Sequence, residues 1–241
     1  MKKGRGSLVK PLKQILLFLF VLVIIPAACI THAFAKAKPL SCIKTVKKDV
    51  VCLTVDDGWS KTTVNKVLKV LRKNKVTCTF FIVGSRLKAM PEVWKKAIKD
   101  GHEICYHTMY HQNLRRKSNK KIIADIKKWE KTARKVLGKD YKIPKLARLP
   151  GGSGSRDQRI LTVFAKRGYK VIYWSLDTLA HRRHVVSYIK KRTKPGAIIL
   201  THFNGYDSKA LPKYIRWLKK RFKLVKLSEA LAPPKPEPKP A

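Results

Sequence analysis

Acidic residues are scarce in this chain, which has 14 Asp and Glu residues against 56 Lys and Arg residues. The formal net charge is +42 at pH 7, and the basic residues are spread along the whole chain rather than gathered in one tail. Such a charge excludes strongly basic partners and favours polyanionic ones, namely nucleic acid, anionic lipid headgroups or an anionic cell envelope. The 241 residues, 44% of them hydrophobic, suffice for one sizeable core.

Cysteine is also scarce, and no two of the five cysteines form a C-x-x-C pair. This absence excludes the usual signature of a redox dithiol or of a zinc ribbon. Cys52, Cys78 and Cys105 lie in apolar segments, so we expect buried thiols there. A disulfide among these residues and Cys42 is compatible with an oxidising compartment, but the sequence assigns no pair.

A long apolar run of the kind that spans a membrane, roughly 20 residues, is missing. The nearest approach is Ile15 to Ala28, which follows five basic residues and precedes the small-x-small sequence Ala33-Phe34-Ala35. This three-part layout predicts a secretory signal over residues 1–35. An uncleaved N-terminal membrane anchor is the alternative, and Cys29 leaves a lipid-anchored cysteine as a weaker one.

Most of the positive charge belongs to the part of the chain that follows the predicted signal. Without residues 1–35 the chain still carries 51 basic and 14 acidic residues, a net charge of +37. We therefore expect a secreted or cell-envelope protein whose basic surface faces an anionic envelope. Nucleic acid is not an expected partner, because the signal directs the chain out of the cell and the basic runs lack interleaved aromatic residues.

Short apolar runs alternate with amphipathic ones along the rest of the chain. The apolar runs predict strands at residues 50–55, 77–83, 103–106, 170–176 and 196–202. The amphipathic runs predict helices, the clearest of which Ser118 can cap and Gly138 can end. Strands that are apolar throughout favour a parallel α/β fold, and both an open doubly wound sheet and a closed barrel fit this pattern.

The composition divides the chain into four parts. Residues 1–35 form the predicted signal or anchor, and residues 36–48 form a basic lead-in. A single α/β domain is expected over residues 49–230. Residues 231–241 form a Pro/Lys-rich tail, which we expect to be extended and without a core of its own.

Polar clusters lie at the ends of four of the expected strands and after a further short run at residues 145–147. They are Asp56-Asp57-Gly58, His107 to His111, Arg148 to Gly152, Trp174 to Asp177, and His202. In parallel α/β folds the carboxyl ends of the strands lie at one edge, and ligands bind there. Each cluster taken singly also has a plain interpretation as a turn or as a solvated polar residue. Their common position favours a single site.

The residue types in these clusters suit a catalytic metal. Two histidines and one carboxylate are a common zinc-binding set in enzymes. His107 and His111 would supply two nitrogen ligands, and one of Asp56 or Asp57 would supply an oxygen. The other aspartate would remain free as a base.

Two further residues complete this chemistry. Arg148 could pair with the free aspartate and keep it ionised and oriented. His202, on a separate strand, could protonate a leaving group. Together with the metal set, these residues predict metal-assisted hydrolysis of an acyl bond.

At these positions the chain resembles the polysaccharide deacetylases, the carbohydrate esterases with a NodB-type domain, over residues 49–230. Four of the family's motifs appear in order, as Thr54 to Gly58, His107 to His111, Arg148 to Pro150, and Leu200 to His202. Single motifs of this kind are weak signals, whereas four in order at similar spacing are specific.

The resemblance implies a distorted (β/α) barrel as a single domain, with a divalent metal that is usually zinc. It implies Asp56 as the base, supported by Arg148, and His202 as the acid. The implied metal ligands are Asp57, His107 and His111. The residues that we expect to contact the substrate are Pro150, Gly151, Trp174, Asp177 and Leu200.

The chain departs from the family's pattern at two places. Gly151 stands where an aromatic residue often lines the sugar groove. The fourth motif, Asp-x-x-Asp-Trp in many relatives, is reduced to Asp177 followed by Thr-Leu-Ala-His. Because an acid of this motif tunes the catalytic histidine in the family, His202 is left with either Asp177 or no acid at all.

The leading hypothesis is an exported, metal-dependent N-deacetylase that acts on N-acetylhexosamines of a cell-wall glycan, with peptidoglycan preferred over a chitin-like polymer. One alternative is an O-acetyl esterase that acts on an acetylated polysaccharide. Another is a non-catalytic domain that binds glycan or cell wall on the same fold. The intact base, ligand, Arg and acid positions speak against this last alternative, and the reduced fourth motif speaks for it.

Overall fold

The computed structural model describes residues 37–43 and 49–233. The predicted signal or anchor over residues 1–35, with Cys29, lies outside the described residues, as do parts of the basic lead-in and of the Pro/Lys-rich tail. The described residues belong to one compact unit that begins after residue 35. No helix in residues 37–43 and 49–233 has the length and apolar character of a membrane span.

A parallel sheet forms the centre of the fold. Its strands are β1 (Val50–Asp57), β2 (Thr79–Ile82), β3 (Glu103–Tyr106), β4 (Leu146–Ala147), β5 (Lys170–Val171), β6 (Leu176–Asp177), β7 (Ile198–His202) and β8 (Lys223–Leu224). The spatial order is β5-β4-β3-β2-β1-β7-β6, and β8 pairs with the first two residues of β1. All these pairings are parallel, as the apolar strands predicted.

Chain connectivity forces this sheet to curl. Strands β5 and β6 lie at opposite edges of the order, yet only residues 172–175 separate them. In a flat sheet, edges six strand spacings apart would be separated by about 29 Å. The five residue steps from Val171 to Leu176 cover at most about 18 Å. The sheet therefore closes into a half-barrel, which is the distorted barrel that the family resemblance implied.

The prediction of one continuous strand over residues 170–176 is wrong. The segment forms two short strands, because its middle crosses the gap between the two sheet edges. Part of the lead-in fills this gap, since Leu40 bridges to Ile172 on one side and Cys42 bridges to Ala197 on the other. The amide of Ile43 donates to the carbonyl of Gly196 at 2.7 Å and completes the seam.

Helices cover the outside of the sheet. They are α1 (Lys61–Lys73), α2 (Gly84–Ala89), α3 (Pro91–Lys99), α4 (Asn119–Leu137), α5 (Gln158–Ala165), α6 (Val185–Arg192), α7 (Gly205–Arg221) and α8 (Leu227–Ala230). The expected limits of α4 are confirmed, since the Ser118 hydroxyl accepts from the amide of Lys121 and Gly138 ends the helix with φ of 105°. The short helices α2 and α6 were not predicted, because neither carries a long apolar stripe.

Alternation along the strands creates two apolar layers. Residues such as Val51, Leu53 and Val55 belong to the large core that includes the helices. Cys52, Phe81 and Cys105 belong to a smaller cluster inside the half-barrel. Cys52, Cys78 and Cys105 are buried free thiols, as expected, whereas Cys42 is a half-buried free thiol. The inward face of β1 continues from Cys52 through Thr54 to Asp56, which brings polar atoms to the carboxyl mouth of the half-barrel.

Gly84 offers a test of how tightly the helical layer holds the loop after β3. The amides of Gly84 and Ser85 donate to the carbonyls of Thr108 and Met109 at 3.0 and 2.9 Å. A Cβ at Gly84 would lie 2.5 Å from Sδ and 3.2 Å from Cα of Met109. Although alanine favours helix by up to about 1 kcal/mol over glycine, Gly84→Ala should lower the free energy of unfolding by about 1–3 kcal/mol through overpacking.

The matched control is Gly205→Ala, at the first residue of α7, where a Cβ meets nothing within 4 Å. This variant should unfold at the same urea concentration as the unaltered protein or at a higher one. Equal midpoints for the two variants in urea titrations followed by circular dichroism would contradict the close contact at Gly84.

Candidate active site

The polar clusters that the sequence places after separate strands converge at the carboxyl edge of the sheet. Asp56 and Asp57 end β1, and His202 ends the neighbouring β7, with Asp56 and His202 directly opposite in register. His107 follows β3, and Arg148 follows β4, which pairs with β3. Parallel strands bring these side chains to one mouth, although up to 146 positions separate them in the sequence.

A buried ion pair lies at the bottom of this mouth. Arg148 is fully buried, and its Nη1 donates to Oδ1 of Asp56 at 2.9 Å and to the hydroxyl of Thr54 at 2.6 Å. Its Nη2 donates to the carbonyl of Tyr173 at 3.0 Å, and the guanidinium lies 4.3 Å above the ring of Phe81. These contacts fix Oδ1 of Asp56 and leave its Oδ2 facing the histidines.

Three side chains form a group suited to a metal ion. Oδ1 of Asp57 lies 3.3 Å from Nε2 of His107 and 3.2 Å from Nε2 of His111. One ligand atom from each residue lies within 4.8 Å of the others. Burial by itself raises the pKa of the Asp57 carboxyl, but the neighbouring imidazoles of His107 and His111 outweigh it and hold that pKa well below its usual range. This carboxyl is therefore ionised.

The orientation of His107 fits metal binding. Its Nδ1 lies 2.8 Å from the carbonyl oxygen of Arg148, which can only accept a hydrogen bond. Nδ1 therefore carries the proton, and in the neutral imidazole the lone pair of Nε2 is available to a cation beside Asp57. Proteins usually orient a metal-binding histidine through a hydrogen bond from the ring nitrogen that does not bind the metal, as Nδ1 makes here. The donor set of two imidazoles and one carboxylate fits a divalent cation such as zinc.

The loop that carries the histidines has a strained backbone. Thr108 and His111 have φ of 59° and 57°, and Asp57 has φ of 84°. In the described part of the chain only one other non-glycine residue, Lys75, has positive φ. Such left-handed conformations are costly for side chains with a Cβ and concentrate at functional sites. At Asp57 the turn interrupts strand alternation, so that two adjacent carboxylates reach the same histidine.

Asp125, on α4, holds this loop in place and was not identified from the sequence. Its carboxylate accepts hydrogen bonds from the hydroxyl of Tyr106 at 2.5 Å, the amide of Met109 at 3.0 Å and Nε2 of Gln112 at 2.6 Å. Burial raises the pKa of Asp125 although these hydrogen bonds lower it. A signal was present, because Asp125 is an acidic residue within the otherwise apolar stripe of α4.

The acid beside His202 is Asp207, which also was not identified from the sequence. Asp207 is buried, and its Oδ2 lies 3.7 Å from Nδ1 of His202. The same oxygen accepts a hydrogen bond from the backbone amide of His202 at 2.9 Å. Asp207 lies in the first turn of α7, where it exchanges hydrogen bonds with the capping residue Asn204. This reciprocal pattern resembles a capping box and could have pointed to Asp207.

Asp177 does not contact His202. Its carboxylate instead accepts hydrogen bonds from the backbone amides of Leu179 and Ala180, at 2.9 and 3.2 Å, and closes a turn. The expectation that His202 has either Asp177 or no acid is therefore corrected. Burial by itself lowers the pKa of His202, but Asp207 together with the charges of Asp56 and Asp57 outweighs burial, so that the pKa is raised.

The residues expected to contact the substrate occupy different environments. Gly151 is exposed with φ of 57°, and the neighbouring Pro150 is buried. Trp174 is half-buried, stacks on Tyr173 with ring centroids 4.0 Å apart, and lies 5.9 Å from the guanidinium of Arg148. Leu200 is buried within β7, and its carbonyl accepts hydrogen bonds from the amide and hydroxyl of Thr178. Substrate contact by these residues stays a prediction.

Exposed hydrophobic side chains lie close in sequence to the residues of the site. In the described part of the chain the large ones are Trp59, Tyr110, Leu179 and Tyr206. Each lies within four positions of a residue discussed above, and the ring of Trp59 lies 5.5 Å from that of His111 in an edge-on arrangement. Exposed apolar groups that gather around a polar cleft indicate a binding surface.

Comparisons with known proteins agree with this geometry. The model of the family described as "Polysaccharide deacetylase" matches residues 43–172. The chain is 32% identical to a peptidoglycan-N-acetylglucosamine deacetylase of Bacillus cereus, with 76% of this chain and 88% of the relative covered. It is 31% identical to a chitooligosaccharide deacetylase of Bradyrhizobium sp., with 65% and 71% covered.

A solved structure matches in the same way. It is a mutant of a CE4 family pseudoenzyme with restored enzymatic activity, which aligns with a TM-score of 0.70 and 25% sequence identity over 77% of this chain and 68% of that chain. The matched family segment contains Asp56, Asp57, His107, His111 and Arg148 at the positions described above. Because the family match covers more than half of the sequence and the fold agrees, this chain belongs to the polysaccharide deacetylase family.

Proposed function

We propose that this protein is an exported, metal-dependent polysaccharide N-deacetylase that hydrolyses the acetamido groups of N-acetylhexosamines in a cell-wall glycan, with peptidoglycan as the preferred substrate. The observation that carries the proposal is the free Oδ2 of Asp56. This oxygen lies 3.9 Å from Nε2 of His107, beside the Asp57–His107–His111 group, while Arg148 holds the other carboxylate oxygen.

Each residue of the site has a role in this reaction. A divalent cation, most suitably zinc, held by Asp57, His107 and His111 would polarise the acetyl carbonyl and lower the pKa of water. Asp56 accepts the proton of the attacking water, and Arg148 keeps Asp56 ionised and oriented. His202 donates a proton to the departing nitrogen as the carbon–nitrogen bond breaks. The products are acetate and a free amine on the sugar.

Asp207 is a positioning residue in this scheme. A general acid must be protonated when it acts, and the raised pKa of His202 favours its protonated form. The negative charge of Asp207 contributes to this shift, and its hydrogen bond to the backbone amide of His202 orients the end of β7. Asp207 thereby takes the part that an acid of the fourth motif plays in the family.

The glycan substrate is supported by the exposed aromatic side chains and by the relatives. Exposed Trp59, Tyr110 and Tyr206 offer apolar faces on which sugar rings can lie beside the polar cleft. The similarity to a peptidoglycan deacetylase favours peptidoglycan. Export through residues 1–35, as a cleaved signal or an anchor, would place the strongly basic chain against an anionic envelope, an attraction that salt should weaken.

Two other functions remain as outcomes of the test. An O-acetyl esterase would use the same residues and differ only in the leaving group. A non-catalytic glycan- or wall-binding domain has no need of a buried base, so the Arg148–Asp56 pair speaks against it. The similarity to a structure derived from a pseudoenzyme makes the direct measurement necessary.

The test is acetate release by residues 36–241 from peptidoglycan, chitooligosaccharide and acetylated xylan, with zinc supplied or chelated. Zinc-dependent release from peptidoglycan is the expected result. Release from acetylated xylan alone would replace the proposal with the esterase. No release from any of these polymers with zinc bound would replace it with a binding domain.

Substitution of Asp57 should weaken zinc binding, whereas substitution of Asp56 should lower activity without loss of zinc. Asp57→Asn removes a charged ligand and should weaken zinc binding by at least about 100-fold. Asp56→Asn leaves the Asp57–His107–His111 group intact, so zinc should still bind tightly while kcat/KM falls by about 10²–10⁴-fold. Competition with a chromophoric chelator measures the first effect, and acetate release measures the second. Equal zinc affinities for the two variants would contradict the assigned roles.

The pH profile tests the assignment of Asp207. Asp207→Asn removes a negative charge that lies 3.7 Å from Nδ1 of His202 and raises its pKa. Without that charge the pKa of His202 falls, so the protonated acid is lost at lower pH. The alkaline limb of the kcat/KM profile should therefore move to lower pH.

Asp177→Asn is the matched control, because Asp177 closes its own turn and makes no contact with His202. Its alkaline limb should coincide with that of the unaltered protein. A shift caused by Asp177→Asn rather than by Asp207→Asn would return the tuning role to the fourth motif.

A further inference from the structure

A basic cavity of about 530 Å³ lies beside the candidate active site. Its walls are the turn before α6, α6 as far as Lys190, and the first half of α7. Five exposed cationic side chains line it: Arg182, Arg183, Lys190, Lys209 and Lys213. None of its lining residues is acidic, and none of these five forms an ion pair within residues 37–43 and 49–233.

The concave shape of this surface concentrates the effect of its charges. Lysines scattered on a convex surface are solvated separately, whereas like charges around a cleft add their potentials and attract a counter-ion into it. The guanidinium of Arg182 lies 6.0 Å from the ring centroid of Tyr206, which is 63% exposed. The cavity thus combines an apolar face with two guanidinium groups, whose planar donors match carboxylates.

The cavity and the proposed catalytic acid lie at the same edge of the sheet. Arg182 and Arg183 belong to the turn after β6, which pairs with β7 through Asp177 and Leu200. Tyr206 follows His202 by four residues, so their Cα atoms are at most about 14 Å apart. A glycan that reaches His202 can therefore extend over the cavity.

The cavity lies outside the part of the chain that the family model matches. That match ends at residue 172, whereas the lining begins at Arg182. The turn that contributes both arginines directly follows Asp177 and the shortened fourth motif. The place where this chain departs from the family's sequence pattern is therefore adjacent to the place where it gathers positive charge.

We propose that this cavity is a subsite for a carboxylate carried by the glycan, and that it makes the enzyme prefer peptidoglycan over neutral aminosugar polymers. This inference rests on the proposed deacetylase function. Muramic acid carries a lactyl carboxyl group, either free or extended by a peptide with carboxylates of its own. Such a group is attached to the sugar chain at a fixed distance from the acetamido groups, as a subsite beside His202 requires. A separate phosphate polymer has no such fixed distance.

The test compares substrates with and without carboxylates. The substrates are peptide-bearing glycan strands, the same strands with their carboxyl groups amidated, and chitooligosaccharide. Arg182→Glu/Arg183→Glu should lower kcat/KM on the peptide-bearing strands by about tenfold or more. It should leave kcat/KM on the amidated strands and on chitooligosaccharide unchanged. Loss on all three substrates alike would overturn the proposal.

A control variant accounts for net charge. Lys131→Glu/Lys135→Glu makes the same change in net charge on exposed residues near the end of α4, which leads to the opposite edge of the sheet. It should leave the preference for peptide-bearing strands intact. If this control loses the preference as fully as the arginine variant does, the effect is one of overall charge and the subsite is refuted.

Binding keeps the proposal testable even if no acetate is released. Co-sedimentation with insoluble peptidoglycan, before and after amidation, should show weaker binding for Arg182→Glu/Arg183→Glu than for the lysine control, and only before amidation. If the deacetylase function fails, no acetate is released, but the arginine variant still binds unamidated peptidoglycan more weakly than the lysine control does. If a teichoic-acid phosphodiester polymer displaces the protein while amidation has no effect, the cavity binds phosphate and the carboxylate assignment is wrong.

Discussion

The buried pair of Arg148 and Asp56 is the interaction on which the rest of the site depends. A charge removed from water is costly unless a partner and hydrogen bonds replace the lost solvation, and deletion of one partner of such a pair typically costs 3–5 kcal/mol. Arg148 meets this requirement with Asp56, Thr54 and the carbonyl of Tyr173. Its own carbonyl accepts from Nδ1 of His107. One residue thereby orients both the proposed base and a proposed metal ligand.

Around this pair the structure stabilises conformations that the local sequence does not favour. The positive φ of Asp57, Thr108 and His111 is unfavourable in isolation. The amides at the start of α2 and the carboxylate of Asp125 hold the loop from outside. The three aspartates Asp56, Asp125 and Asp207 are buried although the chain has few acidic residues. The site is therefore a local concentration of negative charge within a strongly positive protein, which suits it to a cation in the centre and to anions around it.

The sequence by itself determined the type of fold and the identity of most chemical groups. Apolar strands that alternate with amphipathic helices predicted a parallel sheet, and polar clusters after those strands predicted one edge as the site. His107, His111, Asp56, Asp57, Arg148 and His202 were all candidates on this ground, because their residue types and strand-end positions can be read locally. Periodicity and residue types alone left open which aspartate is the base and whether the sheet is open or closed, whereas the family resemblance implied Asp56 and a distorted barrel.

Tertiary structure decided that the sheet closes, gave the two aspartates different environments, and added residues that the pattern concealed. The half-barrel follows because β5 pairs with β4 at one edge and β6 pairs with β7 at the other, and no local periodicity predicts these long-range pairings. Asp56 differs from Asp57 because a guanidinium 92 positions away binds one of them and a left-handed turn redirects the other. Asp125, Asp207 and the basic cavity arise where separate helices meet the sheet. Sequence spacing specifies what each segment becomes, whereas distances between segments are set only when the core packs.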